Sequence, residues 1–118
     1  MTQSLLKFGI HDFLNASPLL LPLREHGGDK GFQIVTGSPA ALADKLKLGD
    51  LDLAMIPSVE YFKLAGSYRL LPNVCIASRG KVGTVLLLAK KPLREISSVA
   101  VDLRSRTSVA ALKILFPF

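Results

Sequence analysis

Cysteine is almost missing from this sequence: Cys75 is the only one in 118 residues, so no intrachain disulfide can brace the fold. Tryptophan is absent and aromatic residues make up 7%, which leaves few surfaces for nucleic-acid bases to stack on. His11 and His26 are the only histidines. Neither stands at ligand spacing from the other or from Cys75, so no metal site is expected. No Gly-rich phosphate loop, HExxH or GxSxG pattern occurs. Long hydrophobic runs are lacking too. The longest apolar stretches, around 19–23 and 82–89, fall far short of the ~20 residues a membrane-spanning helix needs. The first seven residues show no apolar stretch behind a basic cap, so no secretory signal is read there and a cytoplasmic location is expected.

What is present is apolar and basic. Hydrophobic residues make up 49% and the mean hydropathy is +0.38, high for a small soluble domain. Part of that apolar surface is therefore expected to meet surface outside this chain. Fifteen Lys and Arg against nine Asp and Glu give a net charge of +6, compatible with nucleic acid, an acidic membrane surface or a small anion. The basic residues are scattered through the first half, and their densest stretch, from Arg79 to Arg106, has no interleaved aromatics. No nucleic-acid partner and no membrane partner are expected; a small anionic ligand is.

Strand and helix signals alternate along the chain. Residues 5–10 and 32–36 read as strands, and 51–56 as a third, near-continuously apolar, as burial on both faces requires. Ser17-Pro18 and Ser38-Pro39 each carry a helix-start signal, Ser as N-cap and Pro at the first helical position. The helices they open are expected to end at Gly27-Gly28 and at Gly49. Pro57-Ser58 opens a third, short helix. This β-α-β-α-β-α order predicts an α/β fold, a mostly parallel sheet with flanking helices. Further short strands are expected over 68–71, 74–77, 82–89 and 98–102. Thr107-Ser108 is expected to cap a last helix that Pro117 stops.

In an open parallel sheet the segments after each strand share one edge, the carboxyl edge, where ligands bind. Asn15 and Ser17 follow the first strand, Gly37 and Ser38 the second, and Ser58 the third. Each lies near a helix start, where free N–H groups favour an anion. Thr107 and Ser108 would bring a fourth helix start from the other side. Ser before Pro at a helix start is most often a helix cap and nothing more, and that reading stands beside the functional one for each of these serines. Asp12 beside His11 can be read as an acid/base pair or as ordinary turn residues. Asp50 and Asp52 read as solvated or capping, and 90–94 as a solvated turn.

Taken in order, these segments resemble a known family. Gly9 with Phe13-Leu14-Asn15-Ala16-Ser17-Pro18-Leu19 resembles the G-x-x-x-F/Y-L-N-x-x-P-L opening of the chorismate dehydratases of the futalosine route to menaquinone. Gly37-Ser38-Pro39 with Leu42, Gly49-Asp50-Leu51-Asp52-Leu53-Ala54 and Ile56-Pro57-Ser58-Val59-Glu60-Tyr61 are similar to that family's G-x-P-x-x-L, G-E/D-L-D-L-A and I-P-S-x-E-Y stretches. Leu70-Leu71-Pro72 and 76–82 follow the same scheme. Asp102 with Ser105-Arg106-Thr107-Ser108-Val109-Ala110 looks like its D-x-x-S-R/A-T-S-V-A segment. Where the family has Ser in G-x-V-x-S-V, this chain has Thr84, which keeps the hydroxyl and adds a methyl.

The resemblance implies a two-lobed fold like that of type II periplasmic binding proteins, used as an enzyme without metal or organic cofactor. It implies a first lobe over 1–80 and a crossover with the beginning of a second lobe over 81–118, in a family whose members are more than twice this length. The implied activity is dehydration of chorismate to 3-[(1-carboxyvinyl)oxy]benzoate. Asn15 would orient the substrate and polarise the departing hydroxyl. Ser58 and Thr84 would supply hydrogen bonds, Thr107 and Ser108 would hold a carboxylate, and Ser17, Gly37 and Ser38 would complete the rim. The acceptor of the ring proton stays open, with a carboxylate of the substrate among the candidates. Two other readings stand beside this one: a non-catalytic solute-binding protein for an organic anion, and the sister futalosine-route enzyme 1,4-dihydroxy-6-naphthoate synthase. The chain by itself is expected to be inactive and to associate with itself.

Overall fold

Three strands form one sheet in the order β2-β1-β3, all parallel, in a computed structural model that describes residues 4–116. The strands are β1 (Leu6–Ile10), β2 (Phe32–Thr36) and β3 (Leu53–Ala54). The helices are α1 (Ser17–His26), α2 (Pro39–Leu48), α3 (Ser58–Lys63) and α4 (Arg106–Leu115). Single 3-10 turns occupy Leu14–Ala16 and Leu93–Glu95. The α/β class with a parallel sheet and flanking helices, expected from the alternation of signals, is what forms.

β1 holds the sheet together because it is central, and its side chains point alternately to the two faces. On one face Ile10, fully buried, joins Ala16 and Leu20 of the α1 side, with Phe8, Leu23, Ile34 and Met55 packed around them. The other face carries Gly9. A Cβ there would lie 2.6 Å from Leu51 Cδ1, 3.0 Å from Leu42 Cδ2 and 3.1 Å from the Ala54 Cβ. The missing side chain is what lets α2 lay Leu42 directly on the sheet. Helices thus cover both faces, as a parallel sheet requires.

Local signals set most of the boundaries. Ser38 Oγ accepts from the Ala41 N–H at 3.2 Å, so it caps α2 as predicted. Gly49 ends α2 in the left-handed region at φ 82°, a conformation that favours glycine. Asp52, read as solvated or capping, accepts the Lys7 N–H at 2.7 Å and so ties β3 to the start of β1. Two predicted caps are corrected. Ser17 is the first residue of α1 rather than its cap; Ala16 is the cap and supplies no side-chain hydrogen bond. α4 begins at Arg106, one residue before Thr107, with Ser105 at the cap position and Thr107 and Ser108 inside the first turn. Pro117 lies outside the described residues.

The larger correction concerns 64–105. None of the strands expected over 68–71, 74–77, 82–89 and 98–102 forms, and the third strand shrinks from 51–56 to Leu53–Ala54. The apolar, β-branched composition of these stretches suits a sheet, but a strand exists only when another backbone accepts and donates beside it. Among the described residues no ladder reaches 64–105, and Leu71, Leu86, Leu88 and Leu103 are exposed. The radius of gyration is 17.1 Å, against about 13.5 Å for a compact domain of this length.

Candidate functional site

The parallel order puts every β-to-α connection on one edge. The chain leaves β1 at Ile10, passes His11, and makes the 3-10 turn Leu14–Ala16, closed by a bond from the Ala16 N–H to the Phe13 carbonyl at 2.9 Å. Asn15 stands exposed on that turn, and Ser17 follows it half-buried. Gly37 and Ser38, both half-buried, follow β2; Ser58, exposed, follows β3. Topology therefore collects Asn15, Ser17, Gly37, Ser38 and Ser58 at the carboxyl edge of the sheet.

α4 reaches back to that edge. Thr107 Oγ1 lies 3.4 Å from Ser58 Oγ and accepts from the Val59 N–H at 3.3 Å. Both distances are long for hydrogen bonds, so the hydroxyls are free to re-aim at a better acceptor. One residue away, Arg106 makes a bidentate fork onto Asp44 of α2, with Nη2 2.8 Å from Oδ2 and Nη1 3.0 Å from Oδ1. The same Nη1 lies 3.6 Å from Glu60 Oε1 of α3. Glu60 is buried, 9% exposed, and also meets Lys63 Nζ at 3.4 Å. The Arg106 hydrogen bonds hold the Asp44 carboxyl below its ordinary pKa, and Asp44 in turn raises that of Arg106. Just before α4, Arg104 forks onto Asp102 at 2.9 and 3.0 Å and lowers that carboxyl in the same way.

Not every predicted residue converges. Thr84 is exposed in the irregular segment and lines a groove of about 390 Å³ with Ser108, Ser105, Asp102 and Leu112. Ser108 Oγ is engaged by Ser105 Oγ at 2.7 Å. Among the described residues, neither Asn15 nor Thr84 makes a side-chain hydrogen bond. The structure thus joins Ser58 to Thr107, and sets Thr84 with Ser108 along a separate groove. The Asp44–Arg106–Glu60 cluster was missed by sequence reasoning, because Arg106 and Asp44 are 62 positions apart and no local pattern links them. The one part open to prediction was Glu60–Lys63, a salt bridge at i,i+3 on one helix.

His11 follows β1 and lies against the Phe13 ring, with centroids 4.9 Å apart. It is 7% exposed and its Nδ1 has no partner among the described residues. Burial pushes its pKa down, and the nearby Asp12 charge opposes that shift. Among the described residues no three of His, Cys, Asp and Glu gather as a metal-holding group, and no helix is long and apolar enough to cross a membrane.

Residues 6–118 match the sequence profile of the menaquinone biosynthesis family. The chain belongs to that family. It is 36% identical over 107 residues to the chorismate dehydratase of Thermus thermophilus, an alignment covering 91% of this chain and 38% of that protein. The chain therefore spans about two-fifths of the length of the relative it matches. No solved structure matches it. All eight candidate residues, from Asn15 to Ser108, fall inside the stretch matched by the menaquinone biosynthesis profile. In chemical terms this family member offers an amide, several hydroxyls and helix-start N–H groups at one edge. Those are donors suited to oxyanions rather than a strong base.

Proposed function

We propose that the intact protein is a chorismate dehydratase, a cytoplasmic hydro-lyase of the futalosine route to menaquinone that needs neither metal nor organic cofactor. Residues 1–80 supply the first lobe of a periplasmic-binding-protein-like pair, and 81–118 the crossover and the beginning of the second. The reaction removes the ring hydroxyl and the proton on the neighbouring ring carbon, releasing water and leaving the ring aromatic. Aromaticity supplies much of the driving force, so the protein's task is to position the dianion and help the hydroxyl leave.

The observation that carries this reading is the meeting of Ser58 and Thr107 at 3.4 Å across the carboxyl edge. One hydroxyl comes from the sheet-bearing part and the other from α4, so the two stand side by side and one oxyanion lying over them can accept from both. Membership of the menaquinone biosynthesis family and the 36% identity to a chorismate dehydratase support the substrate. In this reading Asn15 orients chorismate and polarises the departing hydroxyl, Ser58 donates a hydrogen bond at the edge, and Thr84 donates one from the neighbouring groove that it shares with Ser108. Thr107 and Ser108 hold a carboxylate; Ser17, Gly37 and Ser38 complete the rim.

The test is to incubate the intact protein with chorismate and follow the aromatic product by absorbance and mass. Wild type converts chorismate with loss of one water, and Asn15→Ala lowers turnover by at least about 100-fold, the scale for losing one polarising donor. Unchanged chorismate, or an Asn15→Ala variant as fast as wild type, would overturn the reading.

A further inference from the structure

Thr107 reaches Ser58 only because α4 lies against α3, and apolar packing is not enough to fix that placement, since Val109, Ala110 and Leu112 of α4 are only half-buried. What spans the two elements is charge. Arg106, whose side chain is 29% exposed, is gripped on one side by the exposed Asp44 of α2 and faces the buried Glu60 of α3 on the other. Glu60 has few alternatives. Its cations are Lys63 at 3.4 Å and Arg106 at 3.6 Å, so withdrawing α4 would leave a buried carboxylate with Lys63 as its one cation, which is unfavourable.

We propose that Arg106 is a positioning residue, a charge latch that docks α4 onto α2 and α3 and thereby holds Thr107 over Ser58 and the Val59 N–H. This rests on the chorismate dehydratase reading, in which Thr107 and Ser108 hold a substrate carboxylate. The planar fork onto Asp44 sets the orientation of Arg106, and the orientation sets its neighbour. The substrate pocket then has a wall whose register is set by ion pairs more than by a core. Its geometry responds to ionic strength, because the Arg106–Asp44 pair is exposed on its Asp44 side and is screened by salt.

Two measurements on the intact protein separate the latch from the reaction. Hydrogen exchange reads the Val59 amide, which accelerates by about tenfold or more in Arg106→Ala while the amides of β1 and β2 keep their protection. Steady-state kinetics with chorismate show KM raised about tenfold and kcat changed by less than about twofold, the pattern of lost binding rather than lost chemistry. Arg106→Lys restores the charge but not the fork, and recovers only part of each effect. Asp44→Asn, which leaves the buried Glu60 paired, gives a milder form of both. Raising salt moves wild type toward Arg106→Ala and leaves that variant nearly unmoved. A Val59 amide that exchanges equally in wild type and Arg106→Ala overturns the latch, whatever the reaction. So does an unchanged KM when Val59 has been released. If the intact protein leaves chorismate untouched, the functional reading falls and the exchange experiment alone decides the latch.

Discussion

A carboxylate as enclosed as that of Glu60 has to be neutralised or compensated, and here the compensation comes from two helices. The i,i+3 pair with Lys63 is local; the pair with Arg106 ties separate elements together. His11 poses the complementary problem. Its imidazole is buried at the end of β1 with Nδ1 unpartnered among the described residues, so the folded state favours the neutral ring and its pKa lies below the ordinary 6.5. The unfolded chain then binds a proton more readily than the folded one. Stability is complete above pH 6.5 and falls as the pH drops from there toward the lowered folded value. Chemical denaturation at roughly pH 8 and pH 5 should show this loss, and His11→Leu should flatten it. A midpoint that is equally pH-sensitive in His11→Leu would assign the effect to other groups.

At the scale of elements, the sheet is legible wherever its signals are local. Ser38-Pro39 and Gly49 bracket α2 because a cap and a left-handed terminus are properties of a few consecutive residues. The first two strands are found to within a residue because each is a short apolar run between turn residues. Ser17 was misjudged as a cap because a 3-10 turn over Leu14–Ala16 leads straight into α1, leaving Ala16 at the cap position. The strands expected over 68–102 were read from propensity, which reports fitness for a sheet and is silent about whether a neighbour is present. The same division holds at the site. The carboxyl-edge set from Asn15 to Ser58 follows from strand order, whereas the Ser58–Thr107 meeting depends on how α4 docks, which no local pattern encodes. Gly9 offers a test at this scale. Gly9→Ala forces a methyl into Leu51, Leu42 and Ala54, and should destabilise the folded state by about 1–3 kcal/mol. Denaturant titration would show this as a lower midpoint at unchanged slope. An unaltered midpoint would mean that α2 shifts freely over β1.

The whole molecule exposes more surface than its mass warrants. Its accessible area is 9480 Å², where a compact protein of 12.7 kDa would have roughly 6200 Å². The excess lies along 64–105, in leucines and valines that a finished core would enclose. Spanning about two-fifths of its Thermus thermophilus relative, the chain carries a sheet flanked by helices together with a long apolar strip, a combination that favours association. The isolated 118-residue chain should therefore run as a dimer or larger species in size-exclusion chromatography and show no dehydratase activity. A monodisperse, active monomer would contradict both statements.

The central place of β1 also governs how the polypeptide is born. β1 is made before both of its neighbours and becomes the middle of the sheet, so it waits with both edges open until β2 and then β3 have been synthesised. At roughly 5–20 residues per second that wait lasts a few seconds. Asp52, whose carboxylate receives the Lys7 N–H, closes the second edge only when it has itself left the ribosome. A ribosome pausing after β2 has cleared its exit tunnel and before β3 has would hold out a two-stranded ribbon, apolar and incomplete, for whatever chaperone or neighbouring nascent chain meets it first.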